Sequence, residues 1–385
     1  MKVLKLVSKN ATRHLLRTAL TILGLAIAVM AFAVIRTSID AWYMGANASS
    51  PNRLVVTNNI SLVFPLPLAY KEKIAQIDEV TGLSWAQWFG GTYVDPKNFF
   101  PQFAIDGETY LDLYPEYIIP PEQREAFLSE RNAVIVGRAL ADRFGWSVGD
   151  PIRLTGTIFP GEWDFVIRGI YTGKQETTDE SQWFMRFEYL DERMKVEAPP
   201  RAGQVGSFIV RIEDPSRAAQ MSAVIDSLFV NSLAETKTQT EEAFQLSFVA
   251  MASSIVTGLR IVSFMVIGII LLVLANTMAM TARERVSEYA VMKTLGFRPI
   301  HIIGLIFGES LVIAGIGGLL GVIVTFPISS LLAEVIKDYF PIFKLDPLTL
   351  VIGLVSSLIV GFVAAVFPTL KAVRTPIVDG LRIID

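Results

Sequence analysis

Few residues in this chain are placed to do chemistry. It has no cysteine, which removes disulfides, thiolate metal sites and thiol nucleophiles. The two histidines, His14 and His301, each border an apolar stretch and read as flank residues, not as ligands or bases. The paired acids Asp179/Glu180 and Glu241/Glu242 have no nucleophile or metal ligand at a useful spacing, so they read as solvated loop acids. Gly173-Lys174 lacks the earlier glycine and the following Ser/Thr of a nucleotide phosphate loop. A nucleic-acid role lacks a basic domain. Two charged features remain. Glu309 interrupts an apolar run, and an intramembrane carboxylate is expensive enough to suggest a function. It faces headgroups, water or a partner's cation. The second feature is a short polar segment holding Arg283, Glu284, Arg285, Glu288 and Lys293.

The elements that must hold these residues are membrane spans. Thr18–Ile35, Ile261–Ala282, Ser310–Ala333 and Pro347–Leu370 are apolar and uncharged, and each is near the ~20 residues that cross a hydrocarbon layer. Basic residues flank them: Lys2, Lys5, Lys9, Arg13 and Arg17 before the first, Arg283, Arg285, Lys293 and Arg298 after the second, Lys371, Arg374 and Arg382 after the fourth. Basic flanks stay cytoplasmic, which places both termini inside and the long segment between the first two spans outside. Residues 41–250 hold 18 basic against 28 acidic residues, a balance consistent with that placement. Ala46-Asn47-Ala48 resembles a signal-peptide cleavage site, but the apolar run is longer than a signal core, so the first span reads as an uncleaved anchor.

The organisation expected is therefore 1–17, a basic amphipathic helix on the inner leaflet; 18–42, first span; 43–250, external domain; 251–282, second span; 283–299, cytoplasmic helix; 300–333, third span; 334–346, short external loop; 347–370, fourth span; 371–385, cytoplasmic tail. The fold class is an α-helical membrane protein of four transmembrane helices with a large α/β domain between the first and second. In that domain Leu54–Val56, Ala133–Val136, Ile152–Leu154, Phe165–Ile167 and Phe208–Ile212 are β-prone. Tyr70–Ile77 and Arg217–Val230 have helical spacing, and Gly137–Phe144 reads as a short helix ended by Gly145. Gly173–Ala202 reads as a loop or an inserted subdomain.

In the polar segment, Gly296 and Pro299 supply a cap and a stop for a short amphipathic helix with Val291, Met292 and Leu295 on an apolar face. Glycines in the third span, among them Gly304/Gly308 and Gly317/Gly321, with Gly318 beside them, allow close helix packing, either within the chain or between two copies.

Residues 276–296, Asn-Thr-Met followed by Arg-Glu-Arg-Val-Ser-Glu-Tyr-Ala-Val-Met-Lys-Thr-Leu-Gly, resemble the coupling segment of MacB/FtsX-type ABC transporter permeases, a family that includes lipoprotein-releasing and macrolide-exporter-like members. The likeness continues through Gly308-Glu309-Ser310, Gly317–Gly321 and Phe367–Ala372. Val136–Asp150 and Phe165–Ile170 are similar to the family's external core domain.

The resemblance implies a non-catalytic permease subunit without a fused ATPase, a dimer (homodimer or paralogous heterodimer) working with two copies of a cytoplasmic ABC ATPase that binds ATP and Mg. It implies an ATPase-coupling helix of Arg283, Glu284, Arg285, Glu288, Val291, Met292, Lys293, Leu295 and Gly296. It also implies a helix-packing or dimer interface of Gly304, Gly308, Glu309, Gly317, Gly318 and Gly321. No cofactor, metal or nucleic acid is expected on this chain. A bacterial inner-membrane location and a periplasmic adaptor or outer-membrane partner belong to the same expectation. Two functions remain open: export or extraction of a lipid, lipoprotein, peptide or other amphiphile, and mechanical activation of a periplasmic hydrolase or sensor.

Overall fold

The computed structural model describes residues 15–336 and 343–381. The amphipathic helix expected over 1–17 falls outside these residues except for its last three, as do part of the 334–346 loop and the end of the tail. The chain divides into two units, one spanning Trp42–Met251 and one built from the four long helices.

The long helices run Leu15–Asn47, Ser253–Glu284, Pro299–Ile336 and Pro347–Arg374, and all four are long and apolar enough to cross a membrane. They extend past the uncharged stretches because a helix does not stop at the hydrocarbon border. Arg36 and Asp40 continue the first, and Arg283 and Glu284 the second. The third packs on the first through glycine. A Cβ on Gly317 would sit 2.7 Å from Leu25 Cδ2, and one on Gly321 would sit 2.7 Å from Val29 Cβ. Gly318 meets Ser357 of the fourth helix, where Ser310 Oγ donates to Gly361 O at 2.6 Å. These small residues let backbones approach within the chain. Gly304, in contrast, is exposed with open space beside it, and Gly308 is half-buried.

The other unit is an α/β domain. Its strands are β1 (Arg53–Asn58), β2 (Leu66–Pro67), β3 (Val80–Trp88), β4 (Gly91–Thr92), β5 (Gln102–Ile105), β6 (Tyr117–Ile118), β7 (Ala133–Gly137), β8 (Pro151–Gly156), β9 (Gly161–Gly173), β10 (Trp183–Arg186), β11 (Gln204–Val205), β12 (Ser207–Ile212) and β13 (Thr236–Thr240). The main sheet has the order β13-β1-β12-β3-β5-β10-β7-β9-β8-β4, with β6 on β9; β2 and β11 pair separately. Its pairs are antiparallel except β5–β10 and β7–β9.

The central strands are covered on both faces, which is why they read as unbroken apolar runs. In β7, Val134 and Val136 join one buried cluster with Trp163, Phe165 and Trp183, while Ala133 and Ile135 join another with Tyr171 and Phe184. Near the sheet's end, β8 alternates exposed and buried residues. After β7, Gly137 lies against the backbone of Glu180, leaving no room for a side chain. Gly145 then closes the helix Arg138–Phe144 at φ 69°.

Two expectations for this unit need correction. Gly173–Ala202 is neither a loop nor an inserted subdomain: it supplies β10, a buried interior strand, and the helix Phe187–Glu197. The acid pairs are not simply solvated either. Glu180 accepts from Gly173 N and Asp179 from Ser181 N and Oγ, which fixes a turn. Glu241 is buried and accepts from Ser50 N (2.9 Å) and Arg53 Nε (2.8 Å). Glu242 alone remains exposed.

Arg53 is the centre of this junction. Its guanidinium also donates to Glu116 (2.6 and 3.1 Å) and to Leu113 O (2.9 Å) and lies 4.2 Å from the Tyr114 ring centroid. Burial alone would lower its affinity for a proton, but Glu116 and Glu241 more than offset that. Ser50 lies just after the first long helix, and Glu241 opens the helix Glu241–Met251 that leads to the second. One arginine thus pins the chain where it enters the domain to the chain where it leaves. Replacing one side of a buried pair strands the other charge, at about 3–5 kcal/mol. All six tryptophans lie within Trp42–Trp183, so tryptophan fluorescence of the whole chain reports on this unit. Arg53→Met is expected to lower the thermal midpoint of that signal by several degrees. Arg53→Lys, which cannot bridge both carboxylates through a planar fork, is expected to fall in between.

Candidate functional site

The segment between the second and third long helices is where the sequence-predicted charges meet. Arg283 and Glu284 form the last turn of the second helix and do not belong to the short helix expected over 283–299. At Arg285 the backbone leaves helical geometry (φ −107°, ψ 14°), and a separate helix runs Val286–Thr294. It closes in a Schellman arrangement: Phe297 N donates to Met292 O and Gly296 N to Lys293 O, with Gly296 at φ 84°. Pro299 opens the third helix.

Three charged contacts tie this segment to the other three long helices. Glu284 takes a two-pronged hydrogen bond from Arg17 of the first, at 2.8 and 2.9 Å. Arg285 is buried and donates through Nη1 to the buried carboxylate of Glu309 on the third, at 3.0 Å. Lys293 Nζ donates to Ala372 O, Val373 O and Thr375 O, at 3.0, 3.0 and 2.7 Å. Those are carbonyls at the end of the fourth helix, which lack intrahelical partners and attract a cation. Arg285 Nε also donates to Glu288 at 2.9 Å, and its guanidinium lies 5.5 Å from the Tyr289 ring centroid.

The electrostatics follow from burial. It disfavours the charged form of Lys293 and lowers its pKa. It pushes Tyr289 up to about 12. Burial would likewise lower Arg285, but Tyr289, Glu288 and Glu309 reverse the sign, so the guanidinium stays charged.

The expected roles change accordingly. Glu309 is buried within the chain, and the cation it meets is Arg285 of the same chain. Glu284, Arg285 and Glu288, read as outward-facing charges, are engaged in internal ion pairs. Of the apolar trio, Met292 is half-buried against the membrane core. Val291 and Leu295 are exposed, as are Phe297 and Ile300, which sequence reasoning did not include. Leu295 is 71% exposed, the largest fraction of the four. Arg283 and Gly296 are exposed as well. The segment therefore presents an apolar outer surface while its charges grip the helices beneath. Lys293 was read as part of the outward helix; its acceptors are backbone carbonyls some 80 residues away, which leave no side-chain signature.

With this geometry in view, comparison with known proteins gives two family matches. Residues 18–228 match the MacB-like periplasmic core domain and 260–377 the FtsX-like permease C-terminal domain. The chain is 22% identical over 415 residues to the uncharacterized ABC transporter permease MJ1507 of Methanocaldococcus jannaschii, covering 97% of this chain and 96% of that protein. It is 33% identical over 108 residues to the uncharacterized ABC transporter permease YvrN of Bacillus subtilis, covering 28% of this chain. It is 24% identical over 179 residues to the macrolide export ATP-binding/permease protein MacB of Agrobacterium fabrum, covering 46% of this chain. Each of these last two alignments spans 25% of the relative's own length.

Two outcomes test the site. Glu309→Leu leaves the buried Arg285 with Glu288 alone as a carboxylate partner among the described residues and is expected to lower the melting midpoint of the detergent-purified chain clearly. Arg285→Met/Glu309→Leu removes both charges and is expected to recover most of the loss, because a buried pair replaced by apolar groups costs little.

The second outcome concerns pH. Tyr289 has a folded pKa near 12 against about 10 unfolded, so its contribution is complete below pH 10 and is lost between pH 10 and 12, up to about 3 kcal/mol. With no native cysteine to interfere, Ala290→Cys reports exposure of the buried face. Its modification by a thiol reagent should accelerate across that window. Tyr289→Phe should remove that acceleration.

Proposed function

The chain belongs to the MacB/FtsX-type family of ABC transporter permeases, and from that premise we propose that it is the membrane subunit through which a separate ATPase moves the extramembrane unit. In this reading two copies of the permease, identical or paralogous, work with two ATPase subunits that bind ATP and Mg. Both termini and the 285–298 segment lie on the cytoplasmic side of a bacterial inner membrane, and the Trp42–Met251 unit lies in the periplasm. The movement drives export or extraction of an amphiphile: a lipid, lipoprotein or peptide.

One observation carries the reading. The short helix Val286–Thr294 and its flanks are bound by ion pairs and a carbonyl cap to the first, third and fourth long helices. Yet Val291, Leu295 and Phe297 are left exposed. A segment braced from behind and apolar in front suits a docking surface that passes displacement inward.

The exposed face is therefore the place to test. A charge reversal at Glu288 would break the Arg285 pair as well as any partner contact, which makes it a poor probe. Val291→Asp/Leu295→Asp alters only exposed side chains. Co-expressed with an ABC ATPase subunit that co-purifies with the parent chain, the double variant is expected to insert normally but to co-purify at least tenfold less ATPase and to lose stimulated ATP hydrolysis. Wild-type levels of both would overturn the docking role.

A second reading, mechanical activation of a periplasmic partner, draws on the other unit. Ile60, Leu62, Val63 and Phe64 are exposed on one loop, and Val230 and Leu233 on the next, with Asn59 N donating to Glu235 O between them. Exposed apolar clusters of this kind mark protein contacts, and an adaptor or a hydrolase would suit equally.

A further inference from the structure

A groove opens between the first, second and fourth long helices. Its walls include Val29 and Phe32 of the first, Ile270 of the second, and Gly353, Ser356 and Val360 of the fourth. The lining is almost wholly apolar. The hydroxyl of neighbouring Ser357 donates to Leu354 O of its own helix and offers the groove no donor. The groove is shallow: its enclosed space is only about 20 Å³, and the rest opens to the outside. It is far smaller than a drug-sized pocket, so a hydrocarbon chain can lie along its apolar surface but is not enclosed by it.

One helical turn beyond Phe32 stands Arg36, and one turn before Gly353 stands Thr349. They are joined across the helices: Arg36 Nε donates to Thr349 Oγ1 at 3.2 Å and lies 3.9 Å from Asp40 Oδ2. Among the described residues the two Nη atoms of Arg36 have no hydrogen-bond partner, and the side chain is 37% exposed. Asp346, which caps the fourth helix through Leu348 N, lies within electrostatic reach of Asp40.

Depth places this cluster. Arg17 and Arg36 are 19 residues apart on one helix, about 28 Å at 1.5 Å per residue. That is close to the ~30 Å hydrocarbon thickness. Arg17 therefore marks one border and Arg36 the other, at the end where the first helix leads into the extramembrane unit. Phe32 lies just inside the hydrocarbon.

We propose that Arg36 and this groove form a binding site for a phosphate-bearing lipid. The phosphate accepts both Nη donors, and one acyl chain lies along Phe32, Gly353 and Val360. A guanidinium fork matches phosphate geometry. The carboxylates of Asp40 and Asp346 weaken the site for a bare anion and favour a headgroup that also carries an ammonium, as phosphoethanolamine does. Any lipid could put a chain in the groove; the arginine is what selects among headgroups. The proposal rests on the amphiphile reading of function and names the headgroup chemistry that the membrane unit recognises.

The test uses the full chain in nanodiscs without ATPase or nucleotide, so its result is independent of the docking experiment. Phe32→Trp places a fluorophore in the groove, read as the difference from the parent chain. Quenching by phosphatidylethanolamine brominated on its acyl chains is expected at a mole fraction at least fivefold lower than quenching by the matching brominated diacylglycerol, which lacks the phosphate. Arg36→Gln in the same background should erase that difference, and millimolar inorganic phosphate should leave it in place. Equal quenching by both lipids, or a difference that survives Arg36→Gln, would overturn the site. Relief by inorganic phosphate would show a free-anion site instead. Should Phe32→Trp fail to fold, native mass spectrometry of the unaltered chain and of Arg36→Gln decides the matter. Retained phosphatidylethanolamine should fall at least fivefold in Arg36→Gln, and equal retention would reject the proposal.

Discussion

The membrane unit depends on a charge that has nowhere else to go. Glu309 sits in an apolar helix nearly three turns from its start, where an unpaired carboxylate would cost several kcal/mol. Arg285 reaches it from the adjoining segment at 3.0 Å. Once that pair is fixed, much follows. Arg285 cannot continue the second helix and also turn inward, so the backbone breaks there. The short helix that follows is held close enough for Lys293 to cap the fourth helix. Glu284, one residue earlier, is left on the side that faces Arg17. A segment that looks from its composition like a solvated loop is thus the place where all four long helices are joined.

The extramembrane unit repeats the same chemistry. Arg53 is buried between Glu116 and Glu241 against the ring of Tyr114; Arg285 is buried between Glu288 and Glu309 near the ring of Tyr289. The two sites share no sequence pattern. Each stands where a long helix gives way to another element, and each uses the planar, permanently charged fork of arginine to hold two carboxylates at once. The helix contacts through Gly317 and Gly321 are different in kind. They bring backbones close but carry no directional bond.

Legibility in the sequence divided along this line. What depends on residue type was readable. The four apolar stretches, the continuous runs of β1 and β7, the Gly145 and Gly296 caps and the oddity of Glu309 all announce themselves locally, and so does the family likeness at 276–296. What depends on a partner was not. Nothing near Glu309 names Arg285, and nothing near Lys293 names three carbonyls at the far end of the chain. Glu241 carries no sign that it is buried, because acids beside a helix start are usually solvated there. β10 was missed for a related reason. Trp183-Phe184-Met185 is short and set in charged surroundings, and only its place between β5 and β7 makes it a buried strand.

This division bears on how such a subunit works. An apolar contact weakens gradually as two surfaces slide, since dispersion and burial change with area. A buried arginine with two carboxylates behaves differently. Its energy is concentrated in a few directional bonds, and separating the charges by a few ångströms in a poorly screened environment raises the energy steeply. Buried pairs are weak evidence for stability, because apolar replacements often serve as well. Their distinct property is stiffness against displacement in a chosen direction. Glycine seams that permit small shifts, combined with ionic pins that do not, suit the proposed role of a helix bundle that yields along some directions and transmits along others. In this chain the pins are placed at junctions: one where the second long helix meets the short helix behind the exposed Val291–Phe297 surface, and one where the connections of the extramembrane domain meet its sheet. Stiffness at these two junctions is what the proposed passage of displacement requires.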